Sequence, residues 1–257
     1  MNTIFQQLVY AREKDKDTVL ATIIWDDGSA PRGRGSQMLV DGSGLLAGTI
    51  GGGAGEVGFC RLETENDFKL GYAVSFYIPL SDAIVDGIDG APTHTYFHHY
   101  RTVNTLIDNL ALRAGLTLAR HGYRYAPIPA SQSVCGLQGI FSHKYAAVLS
   151  GLGTVGKSGL FLSSKFGPRV RLGTILTDCE VAKGSNPLPS VCGGCNLCAA
   201  ACPAMAITGE EWKAGEEREK TVDAKACSEY MKKKFQLIGR GSVCGICMRV
   251  CPRGGRH

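Results

Sequence analysis

The chain of 257 residues is long enough for two modest domains, and its 44% hydrophobic and 20% charged content is that of a soluble protein with a real core. No apolar run approaches the roughly 18 residues that cross a bilayer, and the N-terminal "MNTIFQQLVYAREKDKDT" lacks the basic start and apolar stretch of a signal peptide, so a cytoplasmic protein without membrane association is expected. A net charge of +5, dispersed along the chain, does not by itself imply nucleic acid, and no such partner is expected.

Residues 4–14 read as a short amphipathic helix, "TVLATIIW" (18–25) as a strand and "DDGSAPRGRGS" as a turn-rich loop. "QMLVDGSGLLAGTI" reads as a hairpin with Asp41-Gly42 at its turn, followed by the triple glycine 51–53. Composition shifts near residue 58. "AVSFYIPL" (73–80) and "RVRLGTILTD" (169–178) read as buried strands, and "YRTVNTLIDNLALRAGLTLARHG" carries apolar residues at helical spacing up to the stop signal Gly122. The three histidines of "THTYFHHY" (93–100) precede that helix, where packing and capping are expected rather than metal ligation. "GEEWKAGEEREK" reads as a solvated helix or loop.

"AAVLSGLGTVGKSGLFL" (146–162) fits two nucleotide-binding patterns at once. Gly151, Gly153 and Gly156 make G-x-G-x-x-G, and Gly151 through Ser158 make G-x-x-x-x-G-K-S. Both patterns need a strand before and a helix after; "AAVLS" and "KSGLFLSSKF" are the candidates, with Asp178 at the distance of a ribose-binding acid. Asp178 comes too soon for the metal-binding strand of a phosphate-loop ATPase. A nucleotide role is therefore not expected.

The 11 cysteines are unusual for an intracellular chain and point to metal. Cys60, Cys135 and Cys179 precede residue 190, and the other eight lie in the last 66 residues. "CGGCNLCAAACP" gives Cys192-x2-Cys195-x2-Cys198-x3-Cys202-Pro203, the bacterial ferredoxin run for a [4Fe-4S] cluster, whose fourth cysteine serves a neighbouring cluster. "CGICMRVCP" gives Cys244, Cys247 and Cys251 before Pro252 and lacks one ligand of the full run, which Cys227 can supply. The count then closes on Cys192, Cys195, Cys198 and Cys251 for one cluster and Cys202, Cys227, Cys244 and Cys247 for the other. Two zinc sites built from C-x2-C pairs are the alternative, but zinc has no use for the longer run.

From about residue 59 the chain resembles iron–sulfur proteins related to epoxyqueuosine reductase, on "HKYAAVLSGLGTVGKSGLFLSSKFGPRVRLGTILTD" (143–178) and the two cysteine motifs after it. The resemblance implies an α+β core of the kind shared with reductive dehalogenases, a packed C-terminal two-cluster module, and in the reductase itself a cobalamin reduced by the clusters. It also makes "GLGTVGKS" a core loop near the cofactor cavity. Where that reductase has an aspartate proposed as proton donor, this chain has Leu137, which cannot protonate a substrate. The polar groups nearby, Cys135, Gln138, Ser142 and His143, are expected to be structural.

"GSAPRGRGSQMLVDGSGLLAGTIGGGAGE" (28–56) resembles the start of the xanthine dehydrogenase accessory (XdhC/CoxI-like) family, which handles molybdenum cofactor. Gly51, Gly52 and Gly53 with Arg32 and Arg34 form either an anion site or a glycine-rich turn with solvated arginines. The expected organisation is a small β-rich segment (1–58), a reductase-like core (59–185) and a double-cluster module (186–257). The expected function is transfer of low-potential electrons to an acceptor held by the core or a partner, either a redox protein or a small molecule. A cobalamin-dependent reductase and a molybdenum-cofactor maturation factor are the alternatives.

Overall fold

The computed structural model describes the backbone of residues 18–22, 37–41 and 44–48, and residues 55–132, 134, 136–180, 188–213 and 216–254. The expected helix at 4–14, the loop with Arg32 and Arg34, the hairpin turn at Asp41-Gly42, Gly51–Gly53 and Cys135 lie wholly or partly outside the described residues. The first strands, β1 (Thr18–Thr22), β2 (Gln37–Asp41) and β3 (Gly44–Gly48), form an antiparallel meander with a register shift at Leu39/Val40.

Among the described residues the core is a four-stranded antiparallel sheet in the order β4-β5-β9-β6. Its members are β4 (Glu56–Arg61), β5 (Tyr72–Pro79), β6 (Tyr125–Ile128) and β9 (Val170–Thr177). The two expected buried strands lie side by side at its centre, from Tyr72 opposite Thr177 to Pro79 opposite Val170. Their apolar runs are nearly continuous because both faces of the sheet are covered.

Strand alternation divides the side chains between those faces. Phe76, Ile78 and Ile175 meet α2 (His94–Arg120) through Val103, Ile107 and Ala111. Thr93 caps that helix, its hydroxyl accepting from the Tyr96 amide at 3.0 Å. On the other face, Ala73 and Leu176 pack with Ala146, while Tyr77 and Leu172 pack with Ala147 and Val148 of α3 (His143–Leu149). A short helix, α1 (Asp82–Asp86), follows β5, and the hairpin β7 (Gly153–Val155)–β8 (Phe161–Ser163) follows α3.

"AAVLS" is thus the end of a helix, not a strand, and "KSGLFLSSKF" is a turn and a strand, not a helix. The order around the glycines is the reverse of a phosphate-binding unit, so no helix N-terminus faces an anion there.

The C-terminal residues carry short helices, α4 (Leu197–Ala200), α5 (Ala224–Lys234) and α6 (Ile246–Arg249). Phe235, Val243, Ile246 and Met248 join the apolar cluster on the α2 face, so this module and the sheet share one core. Gly167 abuts the Arg253 carbonyl so closely that a Cβ at Gly167 has no room.

Candidate metal centre

Three cysteines of the compact run, Cys192, Cys195 and Cys198, line one cavity of about 380 Å³ together with Cys251 from the second motif. This volume is an order of magnitude above the ~30 Å³ share of one water. Among the described residues, no three His, Cys, Asp or Glu side chains converge on a single-ion site. The four thiols line a shared space instead.

The remaining four gather beside them. Cys247 lies within electrostatic reach of Cys244, Cys227 and Cys202, and also of Cys198 from the first group. Cys227 sits in the first turn of α5, whose N-cap Asp223 accepts from the Ala226 amide at 2.9 Å. The Ala206 amide donates to Cys202 Sγ at 3.4 Å. Burial pushes the Cys247 thiol up to about 12 and the Cys227 thiol up to about 11, and the neighbouring thiols add to both. Cys198, Cys244 and Cys251 are raised for the same first cause. Such thiols release their protons when a metal centre supplies compensating positive charge.

The glycine loop closes the first cavity. Gly156 and Lys157 line it, and a Cβ at Gly156 would stand 2.7 Å from Leu162 Cδ1 and 3.3 Å from Cys192 Sγ. Lys157 is 7% exposed and donates from Nζ to Asn196 Oδ1 at 3.1 Å. Asn196 holds the N-cap position of α4, yet its side chain makes no capping bond there; its oxygen serves Lys157 instead. Sequence reading placed Lys157 in a core turn near a cofactor cavity but missed its partner. The asparagine between Cys195 and Cys198 was the available signal.

The other candidates have structural partners. His143 accepts at Nδ1 from the Thr174 hydroxyl at 2.9 Å and donates from Nε2 to the Pro129 carbonyl at 3.0 Å, and burial lowers its pKa. Ser142 caps α3, and Gln138 and Leu137 are exposed. The Leu137 carbonyl accepts from Arg218 at 2.9 Å. His99 accepts from the Ser81 amide at 3.1 Å, while His94 and His98 are exposed. Cys60 is buried and donates to the Ala146 carbonyl at 3.6 Å, Cys179 stands just after β9, and Asp178 accepts from the Arg124 amide at 2.8 Å.

Residues 191–254 match the 4Fe-4S double cluster binding domain, and residues 11–60 match the XdhC and CoxI family. The chain carries a [4Fe-4S] domain of the double-cluster kind. It is 28% identical over 239 residues to the tetrachloroethene reductive dehalogenase of Desulfitobacterium hafniense, covering 86% of this chain and 40% of that protein. It is 31% identical over 117 residues to the epoxyqueuosine reductase of Lactococcus garvieae, covering 41% of this chain and 30% of that protein. A solved reductive dehalogenase, described with a mechanism for B12-dependent dehalogenation, matches with a TM-score of 0.62 at 22% identity, over 79% of this chain and 30% of its own. The α+β fold is therefore that of the reductive dehalogenases, and the chain spans well under half the length of these relatives. Among the described residues, no helix is long and apolar enough to cross a membrane.

Proposed function

We propose that the chain is a redox protein holding two [4Fe-4S] clusters, one on Cys192, Cys195, Cys198 and Cys251 and one on Cys202, Cys227, Cys244 and Cys247. It passes low-potential electrons to an acceptor held by its core (59–185) or by a partner. The observation that carries this is the cavity shared by the compact cysteine run and Cys251, with the other four thiols grouped around Cys247, which is itself within electrostatic reach of Cys198. The domain match over 191–254 supports the same conclusion.

When bound, the clusters supply one-electron chemistry. The chain supplies the rest. Its thiols hold the metal, Gly156 lets the backbone approach Cys192, and Pro252 and Leu162 line the cavity with apolar surface. Electron paramagnetic resonance of the reduced, anaerobically reconstituted protein tests this. Two mutually broadened reduced centres per chain are expected, and a protein without any reducible centre would overturn it.

A cobalamin-dependent reductase is the second proposal, favoured by the likeness to a B12-dependent dehalogenase fold. With Leu137 exposed at the expected donor position, a different acid would have to protonate the substrate. Corrin absorbance in the purified protein distinguishes this case. A molybdenum-cofactor maturation role would act through residues 11–60, and co-purified pterin is its signature.

A further inference from the structure

We propose that Lys157 sets the order in which the two clusters take up electrons, making the cluster on Cys192, Cys195, Cys198 and Cys251 the first to be reduced. This rests on the two-cluster assignment above. Lys157 is buried, and its Nζ donates to a neutral amide oxygen, Asn196 Oδ1. Among the described residues it has no carboxylate within ion-pair distance. A buried ammonium without a counter-charge is strongly unfavourable unless an anion offsets it nearby. The anion on offer is the one its own cavity would hold: four thiolates on a [4Fe-4S] core carry about −2 when oxidised and about −3 when reduced.

The second group has different surroundings. Burial and the neighbouring thiols oppose negative charge at Cys227, and the exposed Asp223, which caps α5 at the turn that carries Cys227, adds a smaller contribution. Tyr96, Ile246 and Met248, all buried, pack at that end of the module. Arg253, which is exposed, also lines the first cavity and donates to the Val191 carbonyl at 3.0 Å; solvent screens it as it screens Asp223, so the buried Lys157 is the charge that distinguishes the first site.

Reduction moves one electron from an external one-electron reductant onto a cluster, with no bond made or broken. A buried cation lining the same cavity stabilises the more negative product more than the reactant, because the Coulomb energy scales with the charge. The cluster beside Lys157 thus gains the higher potential, and net charge is one of the recognised determinants of that potential.

The test uses the full chain, reconstituted anaerobically and titrated with dithionite under electron paramagnetic resonance. Wild type should show two midpoints. Lys157→Met should lower the higher one by about a tenfold change in the equilibrium, about 59 mV for one electron, and leave the other in place. Lys157→Arg should restore it. Asn196→Asp, which pairs the ammonium and cancels its field, should lower the same midpoint without removing the lysine. Cys227→Ala protein, left with the first cluster, should titrate at the higher wild-type value. If iron and sulfide fail to load in wild type, the two-cluster assignment falls. If both clusters load but the midpoints ignore Lys157→Met and Asn196→Asp, or Cys227→Ala titrates at the lower value, Lys157 does not set the order.

Discussion

Lys157 Nζ reaches Asn196 Oδ1 at 3.1 Å and so ties the glycine loop of the core to the first cysteine motif. The loop that reads as a phosphate cradle is the wall of a cysteine-lined cavity. Neither ATP nor NAD should therefore bind detectably to wild type or to Lys157→Ala in calorimetry. Micromolar binding by wild type, lost in the variant, would return the loop to nucleotide chemistry.

Cys227 stands outside both compact motifs, so it separates the two clusters experimentally. Cys227→Ala should keep about four iron per chain, one [4Fe-4S] cluster, and lose magnetic coupling between reduced centres. Cys60→Ala, Cys135→Ala and Cys179→Ala should each keep the full complement. Iron analysis and spectroscopy of the four variants read this directly; full loading of Cys227→Ala with loss in one of the others would reassign the ligand.

Arg169 braces α1 against the start of β9 and fixes Asp86, the acid through which α6 pairs with the core. Its side chain is 6% exposed and pairs with Asp82 at 2.6 Å and Asp86 at 2.9 Å, and Arg249 of α6 shares Asp86 at 3.5 Å. Breaking a fully buried pair costs about 3–5 kcal/mol, and these carboxylates are partly solvated, so Arg169→Met should cost at most about 3 kcal/mol. At roughly 2–4 °C per kcal/mol, the apparent melting temperature should fall by several degrees. An unchanged value would show that the apolar contacts alone hold the module.

Cysteine spacing was readable because ligand order along a few residues is a local property. β5 and β9 were readable as strands from their apolar runs, but nothing local says that they pair across almost a hundred residues, with three helices, β6 and a hairpin on the intervening chain. "AAVLS" is ambiguous for the same reason: five apolar or small residues fit either a buried strand or one helical turn. The decision came from Ser142, whose hydroxyl caps α3 by accepting from the Tyr145 amide at 3.3 Å. The cavity's lysine was visible only as part of a motif with another meaning, since its partner lies 39 positions away.

His143 makes stability depend on pH. Burial, with the Arg171 charge behind it, lowers its pKa below the ordinary 6.5, outweighing the donated bond to Pro129, which favours the charged ring. Below about pH 6.5 the unfolded chain takes up a proton that the folded chain refuses, so this contribution shrinks as pH falls toward the lowered folded value. Between pH 7.5 and 6.0, wild type should lose more melting temperature than His143→Gln. Equal losses would mean that the histidine titrates alike in both states.

The most direct measurement is the iron, acid-labile sulfide and zinc content of the anaerobically reconstituted chain. Eight cysteine ligands shared by two cubes require about eight iron and about eight sulfide per chain. About two zinc per chain with no sulfide would contradict the two-cluster assignment outright.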